Sequence, residues 1–113
     1  MTEIVRILRS YRIRHGTEKA MQDDIERLLT AEGVEFVREA RLSTGPIDFL
    51  AGGIGIECKT AGGAAEALAQ LLRYSGDTKV TGLVLVTSRS AHRFDVTDLS
   101  GKPFNVVWIA GNL

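Results

Sequence analysis

The sequence predicts a mixed α/β fold, in which helices pack against a central sheet that has both antiparallel and parallel strands. Three observations support this prediction. Apolar residues recur with helical spacing in residues 18–32 and again in residues 63–75. Three short segments with strand character lie between these helices, which indicates an antiparallel meander. A continuous apolar segment at residues 82–88 follows the later helix, so that helix is expected to cross over to a parallel strand.

Two helices are predicted in the N-terminal part of the chain. Residues 3–11 are expected to form a short helix with a partial apolar face. Thr17 is a suitable N-cap for a stronger helix over residues 18–32, and Gly33 is placed to end it. The apolar positions of this stronger helix are Met21, Ile25, Leu28 and Leu29.

The strands are predicted from alternation, apolar runs and turn residues. In chain order they are residues 34–42, 46–51, 54–59, 82–88 and 104–109. Gly52 and Gly53 favour a tight hairpin turn between the second and third strands. Residues 101–103 are expected to form the turn before the last strand.

A third helix is predicted over residues 63–75 and is expected to end at Gly76. Gln70 and Tyr74 share one face of this helix, because residues four apart are neighbours on a helix surface. The leucines expected to face the sheet are Leu68, Leu71 and Leu72.

Composition indicates a single domain over residues 1–113. The chain is 44% hydrophobic and 25% charged, which is typical of a globular protein. No apolar run approaches the roughly 20 residues of a membrane span, and the N-terminus does not resemble a signal peptide, so no membrane association is expected. The single cysteine, Cys58, cannot form an internal disulfide, which favours a reducing compartment such as the cytoplasm.

Basic residues are unevenly distributed, although the formal net charge is zero. Residues 1–15 contain four arginines and Glu3 as their acid, which predicts either an arm that contacts phosphates or a solvated helix face. Arg89, His92 and Arg93 follow the strand at residues 82–88, where they would contact DNA backbone or lie in a solvated loop. The candidate nucleic-acid-binding residues are Arg6, Arg9, Arg12, Arg14, Arg89 and Arg93.

The hairpin around Gly52 and Gly53 brings three charged residues together. With these glycines as a two-residue loop, Asp48 lies directly opposite Glu57, with their Cβ atoms roughly 4.5–5.5 Å apart. Lys59 shares the face of Glu57, because side chains alternate along a strand. The opposite face is expected to be a core face that carries Ile47, Phe49, Ala51, Ile54, Ile56 and Cys58.

Two acids directly opposite each other destabilise a hairpin unless another charge offsets them. Lys59 offsets part of this repulsion, and a hard divalent cation offsets more, because Mg²⁺ is usually bound by one or two carboxylates. Such a metal makes water easier to deprotonate and stabilises charge on a phosphate oxygen, so the substrate is expected to be a phosphodiester. The alternative is a surface ion pair of Lys59 with Asp48 or Glu57, which contributes little energy.

The segments "PID" (46–48) and "IECK" (56–59) resemble the signature of the PD-(D/E)XK nuclease superfamily. The resemblance covers roughly residues 17–90 and implies a restriction-endonuclease-like core that hydrolyses DNA phosphodiesters with metal-activated water. It implies that Mg²⁺ or Mn²⁺ is held by Asp48, Glu57 and the backbone carbonyl of Cys58, and that Lys59 positions or activates the water. Whether the enzyme is an endonuclease or an exonuclease stays open.

Two further motifs extend this resemblance to the helices. Glu18 and Gln22 form "E-x-x-x-Q", which resembles small viral-type replication-repair nucleases, although an acid in a first turn also complements the helix dipole. Gln70 and Tyr74 form "Q-x-x-x-Y", which resembles the RecB-like branch, although a polar helix face explains them equally. Small phage and prophage nucleases are the nearest likeness, which implies the cytoplasm of a bacterium or of a phage-infected cell.

Other readings of the chain are weaker. Residues 53–60 nearly match a phosphate-binding P-loop, but Cys58 replaces the required glycine and the segment has strand character. His15 and His92 lack zinc-ligand spacing, and Trp108 is most simply a core or interface residue. The main alternative is a catalytically silent nuclease-fold module that binds DNA or protein.

A homodimer or larger homo-oligomer is expected, because a neutral chain of 113 residues offers little surface for a duplex. The N-terminal helix and the strand at residues 104–109 are the candidate interfaces.

Overall fold

The computed structural model describes residues 1–109 and contains one mixed sheet flanked by helices. In chain order the elements are α1 (Thr2–Ser10), α2 (Glu18–Ala31), β1 (Val37–Leu42), β2 (Gly45–Ala51), β3 (Ile54–Lys59), α3 (Ala64–Ser75), β4 (Gly82–Thr87), a 3₁₀ helix (Ser90–His92), β5 (Asp98–Leu99) and β6 (Lys102–Trp108). The strand order is β1-β2-β3-β4-β6-β5. The first three strands form an antiparallel meander, and β3, β4 and β6 are parallel, so the predicted mixed α/β sheet is confirmed.

The helix ends agree closely with the sequence signals. The Thr17 hydroxyl accepts a hydrogen bond of 3.0 Å from the Ala20 N–H, which confirms the predicted N-cap of α2. Gly33 follows α2 in a left-handed conformation with φ 73°, and Gly76 caps α3. On α3 the prediction for Leu72 was wrong: its side chain is 46% exposed, whereas Leu71 and Tyr74 are buried against the sheet.

The last strands differ from the prediction. The turn falls at Ser100 and Gly101, so the prediction was right for Gly101 and wrong for Lys102 and Pro103, which already belong to β6. Pro103 is tolerated because the ladder with β4 starts only at Phe104, where the missing proline N–H is not needed. β5 and the 3₁₀ helix were not predicted, because such short elements leave no periodic pattern.

Two hydrophobic clusters lie on opposite faces of the sheet. Helices α1 and α2 cover one cluster, which includes Met21, Ile25, Phe49, Ile56 and Val84. Helix α3 covers the other, which includes Leu71, Tyr74, Leu83, Leu85 and Phe104. Every residue of β4 is buried, as expected for a central strand between two helical layers. No helix among residues 1–109 is both long and apolar enough to cross a membrane.

Strand β2 changes face at Asp48. Phe49 belongs to the cluster under α1 and α2, whereas Ile47 belongs to the cluster under α3. Regular alternation would place both residues on one face, so the predicted core face of the hairpin was wrong for Ile47.

Strand β1 changes face at the neighbouring position, Glu39. Arg38 lies 5.7 Å from the Phe49 ring on the α2 side, whereas Ala40 belongs to the α3-side cluster. Glu39 itself has φ 53°, a left-handed conformation that is uncommon for residues with a side chain. The β1–β2 register skips the Glu39–Asp48 pair while keeping the pairs on both sides. The change of face therefore coincides with a break in the ladder at Asp48.

Gly55 is required by close packing across β3. A Cβ atom at this position would lie 2.6 Å from Cδ1 of Ile47 and 2.9 Å from Cδ2 of Leu83, and both side chains are fully buried. We expect Gly55→Ala to lower the free energy of unfolding by about 1–3 kcal/mol, measured by urea denaturation. Gly16→Ala is the matched control, because nothing lies within 4 Å of its added Cβ. Equal stability of the two variants would contradict this packing argument.

Candidate active site

Asp48 and Glu57 meet where the β2–β3 ladder ends. The predicted register holds from Ala51–Ile54 to Phe49–Ile56, and there the pairing stops. Beyond it, the Asp48 Oδ2 atom accepts a hydrogen bond of 2.8 Å from the Cys58 N–H, and the Glu57 Oε1 atom accepts one of 3.2 Å from the Asp48 N–H. The two acids therefore face each other as predicted, but reciprocal side-chain to backbone bonds connect them in place of a ladder pair.

Burial raises the pKa of both acids. The pKa of Asp48 is raised mainly by desolvation, against the hydrogen bond from the Cys58 N–H and the effect of the Gln22 side chain. Desolvation and then the negative charge of Asp48 raise the pKa of Glu57 to about 8, although the Asp48 N–H and Lys59 act in the opposite direction. Near neutral pH and without a cation, the pair therefore retains a proton.

Lys59 lies beside the pair, as the sequence predicted. Its Nζ atom is 3.8 Å from Oε2 of Glu57, and its side chain is 22% exposed. The Lys59 carbonyl accepts a hydrogen bond of 3.2 Å from the Ser88 N–H, which holds the end of β3 against the segment after β4. The backbone of Lys59 is therefore held in place, while its side chain remains partly open to solvent.

Cys58 contributes only its backbone. Its thiol is fully buried in the cluster under α1 and α2, and burial raises the thiol pKa well above its ordinary value. The thiol stays protonated and away from the acids. The carbonyl of Cys58 as a metal ligand stays a prediction.

Helix α2 approaches the pair through its first two turns. The Gln22 Oε1 atom accepts a hydrogen bond of 3.1 Å from Arg38, and the Gln22 side chain lowers the pKa of Asp48. The charge of Glu18 is close enough to raise the pKa of Glu57. Both residues predicted from the "E-x-x-x-Q" motif are therefore next to the acids.

Helix α3 approaches from the opposite side of the sheet. Gln70 donates a hydrogen bond of 2.8 Å to the Tyr74 hydroxyl, which in turn donates one of 2.8 Å to the Pro46 carbonyl. Burial, and then the negative charge of Glu57, raise the pKa of Tyr74 to about 12, so the hydroxyl keeps its proton. Gln70 also lines a cavity of about 420 Å³ together with Lys59 and Arg73. Arg73 was not predicted, because a single arginine on a helix carries no spacing signal.

His92 is a second feature that the sequence did not predict. Its ring is fully buried, and its nitrogens lie 3.0 Å from Oγ1 of Thr87 and 3.0 Å from the Gly62 carbonyl. In the neutral ring, Nε2–H donates to Gly62 and Nδ1 accepts from the Thr87 hydroxyl. His92 therefore anchors the glycine loop that lines the cavity beside Lys59, and the expectation of a solvated loop was wrong for this residue.

The candidate nucleic-acid-binding arginines do not form one cluster. Arg6 and Arg14 are ion-paired with Glu3 and Asp24, at 2.6 and 2.9 Å. The remaining four lie without an ion-pair partner among residues 1–109: Arg9, Arg12, Arg89 and Arg93. Arg9 donates to the Val106 carbonyl at 3.2 Å.

The acid pair has the donor chemistry that Mg²⁺ or Mn²⁺ requires. Within the described range 1–109, no group of three His, Cys, Asp or Glu side chains is arranged to hold a metal. Two carboxylates suffice for Mg²⁺, which completes its shell with water. The raised pKa values of Asp48 and Glu57 indicate electrostatic strain that a divalent cation would relieve. These residues therefore fit a hard cation bound mainly by carboxylate and water oxygens.

No protein-family model, curated protein or solved structure matches this chain. The fold and site define a mixed α/β protein in which a buried and a partly buried carboxylate lie beside a lysine at the carboxyl end of a central strand. Ile54–Lys59 form the regular strand β3, so residues 53–60 do not form a P-loop.

The buried pair predicts a pH-dependent stability of the metal-free protein. Because the Glu57 pKa rises from 4.5 to about 8 on folding, the native state keeps a proton that the unfolded state loses. The free energy of unfolding should therefore decrease as pH rises between these values, by up to about 5 kcal/mol. Glu57→Gln should remove most of this slope, measured by urea unfolding in EDTA across that window.

Glu35→Gln is the matched control, since Glu35 is exposed outside the helices and strands. The control should retain the slope of the wild type. A slope that persists unchanged in Glu57→Gln would contradict the assignment.

Proposed function

We propose that this protein is a metal-dependent nuclease with a restriction-endonuclease-like core, which hydrolyses DNA phosphodiester bonds with Mg²⁺ or Mn²⁺. The observation that carries the proposal is the pair formed by the buried Glu57 and the partly buried Asp48, with Lys59 beside it. Such a carboxylate pair is costly for a small domain, and the cavity next to it, lined by Lys59 and Arg73 as well as Glu66, offers two cations to a phosphate substrate.

Asp48 and Glu57 would hold the cation, with the Cys58 carbonyl as the further ligand that the PD-(D/E)XK resemblance implies. When bound, such a cation makes a water easier to deprotonate and stabilises negative charge on a phosphate oxygen. Its charge would also lower the pKa of both acids, so that both are ionised at neutral pH.

Lys59 would orient the attacking water or hold a phosphate oxygen, because its ammonium group adjoins Glu57 and faces the cavity. Arg73 on the same cavity would bind a neighbouring phosphate. Gln22 would favour the ionised form of Asp48, and Glu18 would add negative charge that favours a cation. Gln70 would contact substrate from the cavity wall, since Tyr74 fixes its amide.

A second candidate is a binding module without catalysis. One observation favours it: each acid already accepts a backbone N–H, so the trio is stable without a metal. Mn²⁺-dependent cleavage separates the two candidates, because both bind DNA but only the nuclease breaks it.

We expect the wild type to cleave DNA in Mn²⁺ and to lose all cleavage in EDTA. Lys59→Met and Glu57→Gln should each reduce the rate by at least about 100-fold, because they remove groups next to the reacting atoms. Circular and linear DNA of equal sequence, compared on gels, distinguish internal cutting from digestion of ends.

Lys19→Met is the matched control, because the Lys19 side chain is 80% exposed on α2 and pairs only with Asp23. It should keep the wild-type rate. If DNA is bound but stays intact in Mg²⁺ and Mn²⁺, the binding module is the correct function.

We also propose a homodimer or larger homo-oligomer, since one molecule measures only 35 × 31 × 22 Å. The apolar residues of α1 are not available for the predicted interface, because they are buried within the chain: Ile4, Val5, Ile7 and Leu8. Light scattering at the concentration of the cleavage assay should give at least twice the chain mass. A monomeric mass with full activity would refute this proposal.

A further inference from the structure

Trp108 is an exposed aromatic residue at the carboxyl end of β6. Its side chain is 41% exposed, and it is the one tryptophan of the chain. The Arg93 guanidinium lies 4.1 Å from the centre of its ring, which is a close cation–π contact. The contact holds the indole in place and adds positive charge to an aromatic surface.

Two concave surfaces adjoin Trp108. The larger, of about 730 Å³, lies between β6 and the segment after α1 and is lined by residues that include Leu8, Arg9, Arg12, Ile13, His15 and Trp108. The smaller, of about 620 Å³, is lined by residues that include Arg9, Arg93, Phe94, Asp95 and Trp108. Trp108 and Arg9 therefore form the ridge between two grooves.

The charge of these grooves suits a polyanion. Among residues 1–109, no acid lines the larger groove, and Asp95 is the acid of the smaller one. Arg9, Arg12 and Arg93 have no ion-pair partner in the part of the chain that the structure describes. A second copy of the chain would bring the same positive surface to this contact, which disfavours a symmetric interface here.

The sheet sets the distance from Trp108 to the acid pair. Trp108 pairs with Thr87 in β4, and Thr87 pairs with Lys59 in β3. Neighbouring strands are about 4.8 Å apart, so the backbones at Lys59 and Trp108 are about 10 Å apart along the same edge. Stacked nucleotides rise about 3.4 Å each, so this distance corresponds to about three nucleotides.

We propose that Trp108 is a stacking site for a base in a single-stranded stretch of nucleic acid, with Arg9, Arg12 and Arg93 contacting its phosphates. Aromatic platforms beside cationic grooves are the usual means of binding single strands, whereas the bases of a duplex are stacked internally and unavailable. The inference rests on the proposed function only for placing the scissile bond about three nucleotides away, because the binding itself needs no metal.

The single tryptophan makes the test specific to the site. Titration of the wild type with oligothymidylate in EDTA should quench its fluorescence in a saturable manner, and a duplex of equal length should quench it far less. Trp108→Ala should weaken binding of a labelled oligonucleotide by about tenfold, and Trp108→Phe should retain most of the affinity. Arg12→Gln should reduce the salt dependence of binding, with a log–log slope smaller by about 0.7.

Arg41→Gln is the matched control, since Arg41 lies exposed on β1, at the far side of the sheet order. It should leave the affinity and the salt slope nearly unchanged. Unchanged tryptophan fluorescence at low salt, equal binding of duplex, or a Trp108→Ala variant that binds like the wild type would each overturn the inference.

Two independent measurements on the wild type separate this inference from the proposed function: fluorescence quenching by oligothymidylate in EDTA, and cleavage of DNA in Mn²⁺. If oligothymidylate quenches the fluorescence of the wild type but the wild type never cleaves DNA, the stacking site is supported and the nuclease proposal fails. If the wild type cleaves DNA but its fluorescence does not change, the nuclease proposal is supported and the stacking site fails.

Discussion

The hydrogen bonds that join Asp48 to the Glu57 carboxylate and to the Cys58 N–H are the interaction on which the site depends. Each carboxylate accepts a backbone N–H that is not used by the β2–β3 ladder, which ends at Phe49 and Ile56. These bonds let two acids share a buried position that repulsion and desolvation would otherwise make untenable. The remaining cost is visible as the raised pKa of both groups, and it is this cost that a divalent cation would offset.

The break in the sheet at Asp48 makes this arrangement possible. Glu39 takes a left-handed conformation beside it. At this point the inward-facing side chains of β1 and β2 change from one hydrophobic cluster to the other. A left-handed residue with a side chain costs about 1–3 kcal/mol, and it persists because packed side chains on both faces determine the path of the strands. The same break leaves the Asp48 N–H available to Glu57. The strained backbone at Glu39 and the hydrogen bond between the two acids therefore both result from this break.

The site is held from both faces of the sheet. On one face, Arg38 holds the Gln22 side chain, which lowers the pKa of Asp48. On the other, Tyr74 ties α3 to the Pro46 carbonyl, and His92 ties the glycine loop to β4. Because β3, β4 and β6 are parallel, their carboxyl ends align, and the acid pair and Trp108 occupy one edge. A substrate strand lying along this edge would meet both.

The sequence by itself determined the features that depend on residues close in the chain. The Thr17 cap, the hairpin register around Gly52 and Gly53, and the meeting of the two acids with Lys59 follow from local hydrogen bonding and from strand alternation. Tertiary structure alone decided the change of face at Ile47, the insertion of β6 beside β4, and the burial of His92. These features come from contacts between segments far apart in the chain, where packing overrides the regular period that a single sequence displays.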